Sequence, residues 1–298
     1  MNIQQLQYAL SVYRAGSISG AAASLYIAQP NLSSIIRSLE EELGYPIFIR
    51  TSRGVKPTEQ GLEALRQAAQ MVSCHEKMRL LGTTAPRRRF RLGGIPYPPA
   101  CDAFACLCRE REEDTDLEMS YYCEEPETTV DKLLMSELDM ALSLCGPEAT
   151  EKLLRQCRQQ GLLATHIVDV PIVLRIGPKH PLYGAPEIHL SDFQDYTLVD
   201  YNSRSFLDDP AFSSLIKMNP DRLVTVSDRS MKYALISQTT MYGLDCKLPP
   251  ATNRRFNFRC VPLGNLHYSL LVIERKDTAR TQLGERYLEL LKSILENL

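Results

Sequence analysis

The stretch AAASLYIAQPNLSSIIRSLEEELGYPIFIRTSRGVKPTEQG, residues 21–61, changes its hydrophobic period part-way along, and that change decides the fold of the N-terminal region. Up to Gly44 the period is helical. Ala22, Ala23 and Leu25 belong to a short helix for which Ser17 and Ser19 offer N-cap oxygens. Tyr26, Ile27 and Ala28 break the pattern, and Pro30 suits the first turn of the next helix. Leu32, Ile35, Ile36, Leu39 and Leu43 then form an apolar stripe that stops at Gly44. Upstream, Leu6, Ala9, Leu10 and Tyr13 recur at helical spacing before Gly16, a natural helix stop. Two helices joined by a turn of a few residues, the second with polar groups at its start, make a helix-turn-helix. Beyond Gly44 the pattern is that of strands. Ile47-Phe48-Ile49 and Val55-Lys56-Pro57 flank the basic turn Arg50-Thr51-Ser52-Arg53-Gly54, which reads as a wing with Arg50, Arg53 and Lys56 placed for phosphates.

Within residues 1–65, Arg14, Arg37, Arg50, Arg53 and Lys56 are balanced by Glu40, Glu41, Glu42, Glu59 and Glu63. Most of the bases lie at or beyond the third helix, so the segment is either polarised in space or an ordinary solvated surface. The residues decide more. Paired alanines, a Gln-Pro-x-Leu-Ser turn, a Leu-Glu-x-Glu-Leu-Gly stretch, a Pro-x-Phe-x-Arg wing and a Thr-Glu-x-Gly helix start occur in register over about forty positions of residues 21–61. This run closely resembles the DNA-binding domain of LysR-type transcription regulators. The resemblance implies a dimer on an inverted repeat of double-stranded promoter DNA, each recognition helix in a major groove. Gln29, Pro30, Ser33 and Ser34 are then expected at base edges, and Arg37, Arg50, Thr51, Arg53 and Lys56 on phosphates or in the wing's groove. Two departures stand out. Ala28 replaces the family's usual capping Ser, losing a cap worth ~1 kcal/mol. Ser34 replaces a basic or longer polar residue and is followed by Ile35, which implies a different base readout there.

Thr58 can cap a further helix whose Leu62, Leu65, Ala69 and Val72 make a coiled-coil-like seam, suited to a symmetry mate or to packing on its own domain. The helix fades at Gly82-Thr83-Thr84-Ala85-Pro86, and Arg87-Arg88-Arg89 reads as a solvated hinge or as a contact to the DNA backbone. From Phe90 strands alternate with helices: strand at 91–95, helix at 100–111, strand at 117–123, helix at 128–136 and strand at 138–144. A second subdomain begins near Ile167, and Val261-Pro262-Leu263 returns the chain to the first. Alternation of this kind indicates parallel α/β sheets that bind ligands at strand C-termini. Leu138-Asp139-Met140-Ala141-Leu142, the Lys179-His180-Pro181-Leu182 turn and the Val261 return resemble the LysR-type effector domain, which is similar to periplasmic binding proteins. Thr239–Gly243 stands where that family carries a glycine-rich turn, which implies a narrower or more polar pocket.

The expected fold is therefore α/β: a winged helix-turn-helix (1–58), a linker and dimerisation helix (59–86) and a two-subdomain effector domain (87–298). Subdomain 1 comprises 90–166 and 267–298, and subdomain 2 comprises 167–266. An effector is expected between the subdomains, at Pro96 and Tyr97, at Thr128 and Thr129, and at Asn202, Ser203 and Arg204. Arg204 would fork onto a carboxylate, or pair with Asp208 on the surface. Homodimers, homotetramers and RNA polymerase are the expected macromolecular partners besides promoter DNA.

Other classes fare less well. The net charge of -2 gives no whole-molecule attraction to nucleic acid, although a small basic face fits within a balanced total. No secretory signal opens the chain and no run approaches the roughly 18 apolar residues of a membrane span, so a cytoplasmic protein is expected. No phosphate loop, serine-nucleophile elbow or paired-histidine zinc motif occurs, so no enzyme, cofactor or metal is expected. Glu124, Glu125 and Glu127 read as a solvated loop rather than catalytic carboxylates. Nine cysteines, an odd number, argue against a disulfide framework. The rival reading is a thiol sensor using Cys246 and Cys260, or Cys101, Cys106 and Cys108.

Overall fold

The protein was analysed as a computed structural model that describes all residues except 53, 81–87, 125, 202–221 and 297, and the side chains of 77, 80 and 127. The chain divides into two compact units: Met1–Arg91 with Asp114–Glu118 and Glu127–Asp139, and Leu92–Glu113 with Met119–Pro126 and Met140–Leu298.

The first unit opens with α1 (Ile3–Ala15), α2 (Ile18–Ser24) and α3 (Gln29–Leu43), followed by β1 (Phe48–Thr51), β2 (Gly54–Pro57) and α4 (Glu59–Leu80). Their ends follow local chemistry. Asn2 and Gln5 cap α1 reciprocally, Ser17 accepts from the Gly20 amide, and Ala28 leaves α3 without a side-chain cap. Gly16 and Gly44 close α1 and α3 in the left-handed conformation. The antiparallel wing pairs Phe48 with Pro57 through Thr51 with Gly54. Thr58 Oγ1 accepts from the Gly61 amide at 2.8 Å and donates to the Pro46 carbonyl at 2.7 Å, tying α4 to the base of the wing.

One apolar cluster holds this unit together: Leu6, Ala9 and Leu10 of α1, Leu32, Ile36 and Leu39 of α3, Ile47, and Leu65, Ala68 and Ala69 of α4, joined by Met135. The seam read in α4 is used here. Leu65 is 1% exposed and Ala69 4%, with Leu62 and Val72 packed beside them, so this stripe serves its own chain. The reason is proximity: α1 presents a complementary apolar face within the same unit, and burying the stripe there needs no second molecule. What α4 leaves outward is Met71, 44% exposed, and Met78, 66% exposed.

The rest of the chain is organised by one eight-stranded sheet. It comprises β3 (Arg88–Gly94), β4 (Leu117–Cys123), β5 (Met140–Cys145), β6 (Leu162–Ile176), β7 (Leu198–Tyr201), β8 (Leu223–Val226), β9 (Tyr242–Cys246) and β10 (Arg259–Arg275). The order is β4-β3-β5-β10-β6-β9-β7-β8. Among them lie α5 (Pro98–Glu110), α6 (Pro126–Leu134), α7 (Pro147–Gln159), α8 (Arg229–Gln238), α9 (Pro250–Phe256) and α10 (Gln282–Leu295). The expectation of purely parallel sheets is corrected. β3–β5, β7–β8 and β7–β9 are parallel, but β10 runs antiparallel to both β5 and β6, and β6 antiparallel to β9. With 15 and 17 residues, β6 and β10 are long enough to serve both halves of the sheet. One end of the pair extends through β5 to β4, the other through β9 to β8. Between them the β6–β10 register shifts, from Pro262 opposite Val173 to His267 opposite Pro171. A bulge bends a strand locally, so this break is where the halves can change angle.

The Lys179-His180-Pro181-Leu182 turn is structural. His180 is 2% exposed, accepts the Leu182 amide on Nδ1 at 3.1 Å and stacks 4.3 Å from Tyr196 and 5.5 Å from Phe193. Its Nε2 is buried without a partner among the described residues, and burial pushes its pKa down to about 4. The unfolded chain binds this proton near pH 6.5 and the folded chain does not, so stability is full above that value and falls as pH drops. At pH 5 the loss is expected to be about 2 kcal/mol relative to pH 7.5. Urea midpoints of the native protein against a His180→Asn variant check this, since the variant lacks that part of the acid loss.

Candidate nucleic-acid interface and ligand cleft

In the first unit the exposed side of α3 carries Gln29, Pro30, Ser34 and Arg37, while Leu32, Ile36 and Leu39 point inward. Arg50, Thr51 and Lys56 are exposed on the wing, and Arg53 lies outside the described residues. Ser33 is half-buried, and Arg50 donates to its hydroxyl at 3.1 Å, so the wing's arginine is tied to the recognition helix by a neutral partner that leaves its charge intact. Thr51 Oγ1 donates to the Gly54 carbonyl at 3.1 Å and closes the wing turn.

Three of the five acids that balance these bases in the sum are engaged elsewhere. Glu40 Oε1 turns inward to accept the amides of Ile47 and Phe48 at 2.8 and 3.0 Å. Glu42 pairs with the N-terminal amine, and Glu63 with Arg66 on α4 at 3.5 Å. Glu41 and Glu59 remain exposed, so the surface of α3 and the wing is polarised in part.

In the second unit, Pro96 is exposed just beyond β3, whereas Tyr97 is 4% exposed and its hydroxyl donates to the Lys247 carbonyl at 3.0 Å. Thr128 and Thr129 belong to the first unit, where Thr128 is exposed on α6 and Thr129 is 2% exposed. Asn202, Ser203, Arg204 and Asp208 lie outside the described residues.

The side chains brought together near Tyr97 were not singled out from the sequence. Arg175 is fully buried and donates to Asp245 Oδ2 at 2.6 Å, to the Tyr233 hydroxyl at 2.7 Å and to the Cys246 carbonyl at 2.9 Å. Burial opposes its charge most strongly, but Asp245 together with Tyr233 and Cys260 outweighs burial and holds the guanidinium protonated. Lys232, also fully buried, pairs with Asp200 at 3.2 Å, donates to the Leu244 carbonyl at 2.7 Å and sits 4.2 Å from the Tyr201 ring centroid. Tyr233 meets Phe256 and Phe258 edge-on at 4.9 and 5.1 Å. The sequence did carry a signal: Arg175 interrupts the otherwise apolar run Pro171–Ile176, where a lone charge must be paired.

Four of the thiols are poor nucleophiles. Burial pushes Cys108, Cys123, Cys157 and Cys246 up from the ordinary thiol value, which disfavours the reactive thiolate. Among the described residues no cluster of His, Cys, Asp and Glu is arranged to hold a metal ion.

Two family models match this chain. The family model for bacterial regulatory helix-turn-helix proteins of the lysR family matches residues 3–62, and that for the LysR substrate binding domain matches residues 83–292. The HTH-type transcriptional regulator AdmX of Serratia plymuthica is 30% identical over 69% of this chain and 64% of its own length. The nitrogen assimilation regulatory protein nac of Klebsiella aerogenes is 34% identical over 48% of each chain. The matched segments thus span less than two thirds of these relatives. A full-length OxyR variant from Pseudomonas aeruginosa shares the fold, with a TM-score of 0.65 at 18% identity over 99% of this chain and 95% of that one.

Proposed function

The chain belongs to the LysR family of bacterial regulatory helix-turn-helix proteins, and from that membership we propose that it is a sequence-specific transcription regulator, not an enzyme, controlled by a small-molecule effector. In this reading residues 1–58 bind double-stranded promoter DNA in the cytoplasm, 59–86 form the linker and 87–298 respond to the effector. The observation that carries it is the polarised face of α3 and the wing, where Arg37, Arg50 and Lys56 are exposed while Glu40 is turned inward. Gln29, Pro30, Ser33 and Ser34 read base edges, and the basic residues, with Thr51 and Arg53, hold phosphates.

The working form is a dimer, and pairs of dimers give a tetramer that meets RNA polymerase. An apolar groove of about 360 Å³, lined by Met1, Leu6, Leu39, Leu43, Ala64 and Met71, supports a second copy beside α4. The effector, a carboxylate, lies near Pro96, Tyr97, Thr128 and Thr129 with Asn202, Ser203 and Arg204.

A titration of fluorescent DNA from the promoter beside the protein's own gene tests the central claim through stoichiometry and salt dependence. Two chains per inverted repeat are expected. Arg50→Ala should weaken binding to specific and unrelated sequences alike and flatten the log–log salt slope by about one. An unchanged slope removes Arg50 from the phosphates, and no salt-sensitive binding at any nearby promoter defeats the reading.

A further inference from the structure

Three cations converge between β6, β9 and α8. Arg175 is matched by Asp245 at 2.6 Å and Lys232 by Asp200 at 3.2 Å. Arg229, the half-buried first residue of α8, has no carboxylate within ion-pair distance among the described residues. The neighbouring Asp228 is turned to the helix instead, where its Oδ1 accepts the Met231 amide at 3.0 Å. Arg229 instead reaches the Pro96 carbonyl beyond β3 and lies 6.0 Å from the Tyr233 ring centroid. Two more phenols lie on the elements that Arg229 bridges: Tyr121 donates to the carbonyl of Ile95, next to Pro96, at 2.6 Å, and the Tyr201 ring lies 4.2 Å from Lys232 of α8. In both, as in Tyr233 and Cys123, burial pushes the pKa up and the charge of Arg229 opposes it. A guanidinium held by a carbonyl and aromatic faces has exchanged its water for weaker partners than a carboxylate would supply.

We infer that Arg229 anchors the effector and that the effector is an aromatic carboxylate: its carboxylate takes the guanidinium from the Pro96 carbonyl, and its ring lies among Tyr121, Tyr201 and Tyr233. This rests on the reading of the cleft as the effector site. It adds a consequence for regulation. Pro96 follows β3 in one half of the sheet and Arg229 opens α8 in the other, on opposite sides of the β6–β10 register break. Capture of Arg229 by the ligand removes a strap between the halves, so occupancy is coupled to their angle.

The test is calorimetric titration of the full-length chain with benzoate, phenylacetate and cinnamate, against benzamide as neutral isostere and cyclohexanecarboxylate as saturated one. At least one aromatic carboxylate should bind, with its neutral and saturated counterparts roughly tenfold weaker or more. Arg229→Gln should weaken the carboxylate by roughly ten- to a hundredfold, and Arg229→Lys by less, while thermal midpoints report that both variants fold. Benzamide binding as well as benzoate, or full affinity in Arg229→Gln, overturns the inference, as does failure of every carboxylate to bind the native chain. Cys123→Trp, which obstructs the same space, separates the two claims. Affinity lost in Cys123→Trp but kept in Arg229→Gln leaves the cleft standing and removes Arg229. Affinity kept in both moves the effector site elsewhere.

Discussion

Lys232→Met is expected to destabilise the second unit by about 3–5 kcal/mol, although the substitution preserves length and adds apolar character. The reason lies in Asp200, which has no exposed surface and whose Oδ2 already lacks a partner among the described residues. Its Oδ1 receives the ammonium of Lys232 at 3.2 Å, so removing that cation strands a carboxylate in the interior between β7 and α8. An unpaired buried charge costs far more than a methionine's additional burial returns. Urea unfolding measures the loss. The double variant Asp200→Asn, Lys232→Met should recover part of it, because a neutral amide is cheaper to bury than an uncompensated charge. A single variant within 1 kcal/mol of the native protein would show that water reaches Asp200.

Gly61→Ala should destabilise the first unit by about 3 kcal/mol, against the general rule for helices. Within an ordinary helix this change gains roughly 0.5–1 kcal/mol. Here a Cβ on Gly61 would stand 2.0 Å from the Ile47 carbonyl oxygen and 2.7 Å from its carbon, backbone atoms that cannot rotate away. The same carbonyl accepts the Thr58 amide at 2.9 Å, so α4 and the base of the wing meet backbone to backbone. To admit the methyl group, the first turn of α4 or the start of β1 has to move, which displaces Arg50, Thr51 and Lys56 as well. A lowered thermal midpoint together with weakened DNA binding is the expected pair of results. A raised midpoint would show that this contact yields without cost.

The sequence by itself determined the winged helix-turn-helix, because that region is built from local signals. Side-chain spacing sets helix faces, Ser17 and Thr58 cap helices a few residues away, and Gly16 and Gly44 end them. The same locality made the absent cap at Ala28 legible. Most element positions in the C-terminal half followed from alternation, but sheet direction did not. Whether β6 and β10 run antiparallel depends on which strand each meets, and β10 pairs with residues about a hundred positions earlier in the chain. The stripe on α4 was visible too, yet only packing placed it in the cluster with α1 and α3 of its own chain. Charge behaved likewise. Tertiary structure alone decided that Glu40 turns in while Arg50 stays out, and that Arg175 and Lys232 find acids while Arg229 finds a carbonyl. Periodicity reports the face a residue occupies, whereas the partner of a charge is set by what the fold brings within a few ångströms of it.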